Sequence, residues 1–174
     1  MTTFDFQDGN GPVPAHQHPN GGGWVANTAF VADTVYVGPD AHVSGNAEVF
    51  GNAKVSGDAW VYDNAKVYGN AWVYGNAHVS DNAEVFGNAL VFGTAIIKDS
   101  KFPQIKRSDG YDFIAVPCSD GETRVIAGCR YFTFKEAKKH WKKTCGGTPL
   151  GDETMLILKF LKQYVKMREA KNDA

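Results

Sequence analysis

The sequence predicts an all-β coil of stacked parallel strands followed by a small C-terminal α+β (ββαα) module. Three observations predict it. Residues 23–100 repeat every six residues around the unit Ala-x-Val-x-Gly-Asn, thirteen times without a gap, and so short and strict a period is the mark of a solenoid. Within each unit Ala and Val stand two apart and so share one face of a strand. The Gly-Asn, Gly-Asp or Asp-Asn pair at the end of the unit tolerates left-handed backbone and forms a corner. The period stops near Ser100, where the balance of charge reverses: residues 1–100 hold ten acidic and three basic side chains, residues 101–174 nine acidic and fifteen basic.

Residues 1–22 are rich in Gly, Pro and polar groups and are expected to form an irregular cap over the first turn, since an open solenoid end exposes core and unpaired backbone. His16 and His18 could each ligate a metal, but two ligands in a loop are too few for a closed site.

Residues 23–100 are the coil. Three units close a turn of eighteen residues, so thirteen units make a little over four turns. At about 4.8 Å per stacked strand the coil is roughly 20 Å tall. Val43, Val49, Val55, Val61, Val67, Val73, Val79, Val85 and Val91, with the alanines, should line the axis. Residues eighteen apart should lie above one another. One outward face then carries Glu48, Lys66 and Glu84 beside Phe50, Tyr68 and Phe86. A second carries Lys54, Trp72 and Leu90 beside Ser56, Tyr74 and Phe92. The third carries His42, Trp60, His78 and Ile96 beside Ser44, Tyr62, Ser80 and Lys98. So much outward aromatic surface marks an interface. The rings are covered by other subunits or by the C-terminal segment, or some of Trp60, Tyr62, Trp72 and Tyr74 contact a ligand.

Residues 101–110 read as a linker. In the module, residues 111–174, Tyr111–Cys118 and Thr123–Phe132 read as two strands joined at Asp120-Gly121. Thr133 and Glu136 fit a capping box that opens a helix. On it Lys135, Lys138, Lys139, Lys142 and Lys143 fall on one side, Phe134, Ala137 and Trp141 on the other. Residues 146–151 break it. A last helix from Asp152 to about Ala170 would bury Ile157, Leu158, Phe160, Leu161, Tyr164 and Val165.

Cys118, Cys129 and Cys145 are odd in number and give no disulfide framework. With His140 they are of the right types for a structural zinc, but their spacing lacks the paired pattern of such sites, and buried free thiols are the expectation. The start of the chain has neither the basic nor the apolar segment of a signal peptide. No apolar run approaches the roughly 18 residues that span a bilayer. A cytoplasmic protein with no membrane contact is expected. The lysine side would suit an acidic protein or nucleic acid; the near-neutral whole, net −1, favours protein.

The repeat, as in Ala47–Asn52 and Ala71–Asn76, resembles the hexapeptide-repeat family, and the resemblance covers residues 23–100. It implies a left-handed parallel β-helix and, commonly, a homotrimer. The family includes acyltransferases, in which a histidine is the general base at a coenzyme A thioester site between subunits. His78 or His42 would fill that role here, with coenzyme A thioester as cosubstrate, although no loop interrupts the repeats to build the cleft. It also includes zinc carbonic anhydrases with three histidine ligands. His42 and His78 stand two turns apart as in that pattern, but residues 81–85 lack the further histidine, so no metal is expected. The Thr-x-Thr rows of antifreeze members are absent. The order His18-Pro-Asn-Gly-Gly-Gly-Trp24, then the repeats, then Ala127–Trp141 resembles small hexapeptide-repeat proteins of bacteriophages and prophages. That resemblance covers most of the chain and implies action on a host factor. A non-enzymatic trimeric scaffold that binds or blocks a macromolecular partner, with no cofactor, is therefore expected. Lys135, Lys138, Lys139, Lys142, Trp60, Tyr62, Trp72 and Tyr74 are its candidate contact residues. The alternative is an acyltransferase.

Overall fold

A computed structural model describes residues 2–99 and 102–172, with side chains through Arg168. Ser100 and Lys101, where the expected boundary between coil and linker falls, lie outside the described residues, as do Asp173 and Ala174. The chain divides into two compact units, Met1–Lys101 and Phe102–Ala174.

The first unit is a β-solenoid of about four turns. Its strands are mostly two residues long, and each pairs in parallel with the strand eighteen residues away. Lys66 lies between Glu48 and Glu84, Trp72 between Lys54 and Leu90, and His78 between Trp60 and Ile96. The ladder continues between turns through bonds such as Lys66 N–H to Ala83 O (2.8 Å) and Trp72 N–H to Ala89 O (2.9 Å). The alternation expected from the repeat holds from the fourth unit on, where the valines from Val43 to Val91 and the alanines from Ala41 to Ala95 are all fully buried; in the first turn Ala29 and Val31 are half-buried. Each buried valine contributes about 1.5–3 kcal/mol, and only stacking makes the burial continuous.

Corners stack as well as strands. Gly45 has φ +64°, and a Cβ there would lie 2.7 Å from the Asp63 nitrogen one turn on. The left-handed angle favours glycine, and a Cβ at Gly45 would need the next rung to shift. Asp63 and Asp81 occupy the same corner at φ 58° and 55°, a region that Asp tolerates. The next residue of each corner forms an amide ladder. Asn46 donates to Asn64 (3.5 Å), Asn52 to Asn70 (3.3 Å) and Asn70 to Asn88 (3.1 Å).

The beginning of the chain is more regular than expected. Thr3–Phe4 and Val13–Gln17 form an antiparallel hairpin, and Val13–Gln17 pairs antiparallel with Trp24–Ala26, extending one solenoid sheet to seven strands. Phe6, Ala15 and Ala26 are buried together, with Phe4, Val13 and Trp24 packed around them. The chain then crosses to the first turn through Asn20–Gly23. Val37 N–H donates to Asn20 O (2.9 Å), and Gly23 N–H donates to Val37 O (3.0 Å). Gly21 sits so close, at φ +116°, that a Cβ would fall 2.2 Å from Val37 O.

The second unit differs from the expected ββαα order. It holds a four-stranded antiparallel sheet, Gln104–Lys106, Asp112–Pro117, Thr123–Ala127 and Arg130–Thr133, followed by helices α1 (Phe134–Cys145) and α2 (Pro149–Asn172). The stretch read as one strand, Thr123–Phe132, folds back at Gly128–Cys129, so Ala127 pairs with Arg130. Within the stretch read as linker, residues 104–106 are a strand and residues 107–109 are anchored on α2. Arg107 forks onto Asp109 and reaches Thr154 Oγ1 (2.8 Å), while Ser108 N–H donates to Glu153 Oε1 (2.8 Å). The core joins Phe113, Ala115, Val125 and Ala127 of the sheet to Ala137, Trp141, Ile157, Leu158 and Leu161 of the helices. The capping box is present: Glu136 N–H donates to Thr133 Oγ1 (3.3 Å), and Thr133 N–H donates to Glu136 Oε2 (2.9 Å).

Candidate binding faces

The histidine face is a column of rings. Trp24, His42, Trp60 and His78 lie in register. Centroids are 5.4 Å apart for His42–Trp60 and 5.3 Å for Trp60–His78. Phe4 stacks on Trp24 (4.5 Å) and meets His42 edge-on (5.0 Å), with Phe6 also against His42 (5.8 Å). The hairpin at the start of the chain thus covers the upper part of this face. Burial holds both imidazoles below their ordinary pKa; for His42 the carboxylates of Asp40 and Asp58 oppose that shift. Among the described residues His42 Nδ1 is buried with no hydrogen-bond partner. A general base needs a partner that orients it and room for the group it deprotonates. Rings pack directly against both imidazoles.

The second face is a ladder of charge beside a ladder of rings. Lys66 pairs with Glu48 at 3.1 Å. Phe50, Tyr68 and Phe86 stack at 4.9 and 5.5 Å, with interplanar angles of 4° and 15°. Phe30 and Phe86 are 58% and 45% exposed.

The third face holds Tyr36, Lys54 and Trp72 in one column. Trp72 Nε1–H donates to Ser56 Oγ (3.1 Å), its ring leans on Tyr74 (4.7 Å), and Lys54 Nζ lies 5.7 Å from its centre. Tyr74 stacks in turn on Phe92 (4.7 Å).

The four aromatic contact candidates are therefore not one patch. Trp60 and Tyr62 share the histidine face, and Trp72 and Tyr74 share the third. Tyr36, Phe30 and Phe86, absent from the candidates drawn from the sequence, are among the more open rings; their place in the eighteen-residue register was the available signal.

On α1, Lys135, Lys138, Lys139, Lys142 and Lys143 are exposed, and Ala137 and Trp141 are buried. Among the described residues none of these lysines forms an ion pair. α2 departs from its expected buried stripe at Phe160, which is 51% exposed, as Leu156 and Met167 also are exposed. Ile157, Leu158 and Leu161 of that stripe face inward as expected.

The thiols are only partly as expected. Cys118 is buried with its Sγ 2.9 Å from Tyr131 Oη, Cys145 is half-buried, and Cys129 is exposed in the turn it helps form. Among the described residues no group of three His, Cys, Asp or Glu side chains is placed to hold a metal ion, and no helix is long and apolar enough to cross a membrane.

With this geometry in place, comparison with known proteins is informative in one respect. The YdcK beta solenoid repeat model matches residues 59–75 and, overlapping them, 65–81, the stretch that contains the Trp60–His78 and Trp72–Tyr74 contacts. Repeat match and coil agree that this is a β-solenoid repeat protein. The chain matched none of the curated proteins and none of the solved structures.

Proposed function

We propose that the protein is a non-enzymatic, left-handed β-helical scaffold that forms a homotrimer and uses its C-terminal module to bind or block an acidic macromolecule, a host protein if the phage resemblance is followed. The observation that carries this reading is the contrast between its two sets of candidate groups. His42 and His78 are sandwiched among rings and serve packing. Lys135, Lys138, Lys139 and Lys142, with Lys143 beside them, have no ion pair among the described residues and stand on a helix that a capping box holds in place. Free, aligned cations are what steer and orient an acidic partner. The open Phe30–Phe86 face supplies apolar surface for self-association. Three cysteines without a disulfide suit a reducing, cytoplasmic setting.

The test replaces Lys135, Lys139 and Lys142 with Glu and compares capture of host proteins with that by wild type. A protein held by wild type and lost by the folded variant supports the reading, and equal capture overturns it. Calorimetric titration with coenzyme A separates the acyltransferase reading: saturable binding abolished by His78→Ala would replace this proposal.

A further inference from the structure

We propose that the Tyr36–Lys54–Trp72 groove of the solenoid is a binding site for an acidic saccharide, a pyranose carrying a carboxylate. This goes beyond the reading of the basic helix and does not depend on it.

The groove has a volume of about 420 Å³ and is lined by Asn20, Thr34, Tyr36, Asn52, Ala53, Lys54, Ser56 and Trp72. Register creates it. Tyr36 projects one rung above Lys54 and Trp72 one rung below, so the rings stand two rungs apart, about 9.6 Å, with the Lys54 side chain between them. The column beside them begins with small residues: Gly38 and Ser56 stand where Tyr74 and Phe92 fill the later rungs.

Three features select the ligand. The first is an uncompensated cation. Lys66, at the matching place on the neighbouring face, is paired with Glu48 at 3.1 Å. Lys54 has uncharged neighbours above and below in its column, and no ion partner among the described residues. The second is a pair of exposed rings, Tyr36 at 37% and Trp72 at 40%. Trp72 is held by Ser56, Tyr74 and Lys54 before any ligand arrives, which lowers the ordering cost of stacking on it. The C–H faces of a pyranose suit such rings.

The third is the surplus of acceptors. Asn20 Nδ2 donates to Val35 O (2.9 Å), Asn52 Nδ2 donates to Asn70 Oδ1 (3.3 Å), and Thr34 Oγ1 donates to Gly51 O. Among the described residues the amide oxygens of Asn20 and Asn52 and the lone pairs of Thr34 are left to accept. Sugar hydroxyls donate to such oxygens and can accept from the second N–H of each amide. Ser56 Oγ accepts from Trp72 and keeps its own proton to donate, with Lys54, to a carboxylate.

The experiment is calorimetric titration of the full chain with a trisaccharide of galacturonic acid, its neutral galactose counterpart and adenosine monophosphate. We expect saturable binding of the acidic trisaccharide, with the neutral one and the nucleotide at least about tenfold weaker. Trp72→Ala should weaken binding roughly tenfold or more, as removal of a central aromatic anchor does, and Lys54→Glu should abolish it. Ser56→Tyr guards against loss of fold. A ring at 56 continues the Tyr74–Phe92 stack, so this variant should keep the wild-type circular dichroism and melting while its filled groove no longer binds. Absence of saturable binding by the acidic trisaccharide, tighter binding of the nucleotide, or undiminished affinity in Ser56→Tyr would each overturn the proposal.

Discussion

His42 and Trp60 lie one rung apart with ring centroids 5.4 Å from each other, and the imidazole is half-buried in that contact. The depressed pKa of His42, and of His78 below Trp60, means that the folded state favours the neutral rings. Below about pH 6.5, the ordinary histidine value, the unfolded chain therefore binds more protons than the native one. Stability from these two groups is complete above that pH and is lost as pH falls toward their folded values. Melting temperature should rise with pH across this window. Replacing both histidines with Phe should flatten the profile there, and a profile unchanged in that double variant would refute the assignment.

Val67 is fully buried in the middle of the coil. Val67→Asp places a carboxylate where no partner can reach it, at a cost of several kcal/mol. Its central turns should unfold, read as loss of strand signal in circular dichroism. Unchanged melting would contradict the inward register.

Gly21→Ala directs a methyl group at Val37 O, 2.2 Å away, from a backbone angle that side chains avoid. We expect a loss of about 1–3 kcal/mol in urea unfolding, from strain of this kind. Faster hydrogen exchange should be confined to Val37 and Gly23, whose amides close this crossing.

Thr133→Ala removes the side-chain half of the α1 capping box. The expected cost is about 1 kcal/mol. A denaturant midpoint equal to wild type would show that the cap contributes nothing.

Phe30 and Phe86 are open on the charge-ladder face. Sedimentation equilibrium should give three times the 18.9 kDa chain mass for wild type and a lower mass for Phe30→Glu/Phe86→Glu. A wild-type monomer would remove the trimer from the proposal.

How much could be read in advance depends on where the information lies. The coil was legible because its period repeats the same local choice: Val67 faces in for the same reason as Val49, and Lys66 meets Glu48 because eighteen residues close a turn. The ends were less legible. Nothing local marks Phe4 as a ring that stacks on Trp24, since that contact joins residues with no shared period. In the second unit the Gly128–Cys129 turn hid inside a run that looked like one strand. Residues 107–109 looked like linker because Arg107 finds Thr154, and Ser108 finds Glu153, only across the folded chain. Phe160 fitted the apolar side of α2 by composition, and only the packing of α1 decided which side faced in.

The asparagine ladder and the stacked corners have a bearing on how such a chain can change. Adding or deleting eighteen residues would insert or remove one rung and leave every column intact. An indel of six would keep valines on the axis but rotate all later columns by one side of the prism, parting Trp72 from Lys54 and His78 from Trp60. Length in this molecule is thus quantised, and viable insertions should come in whole circuits.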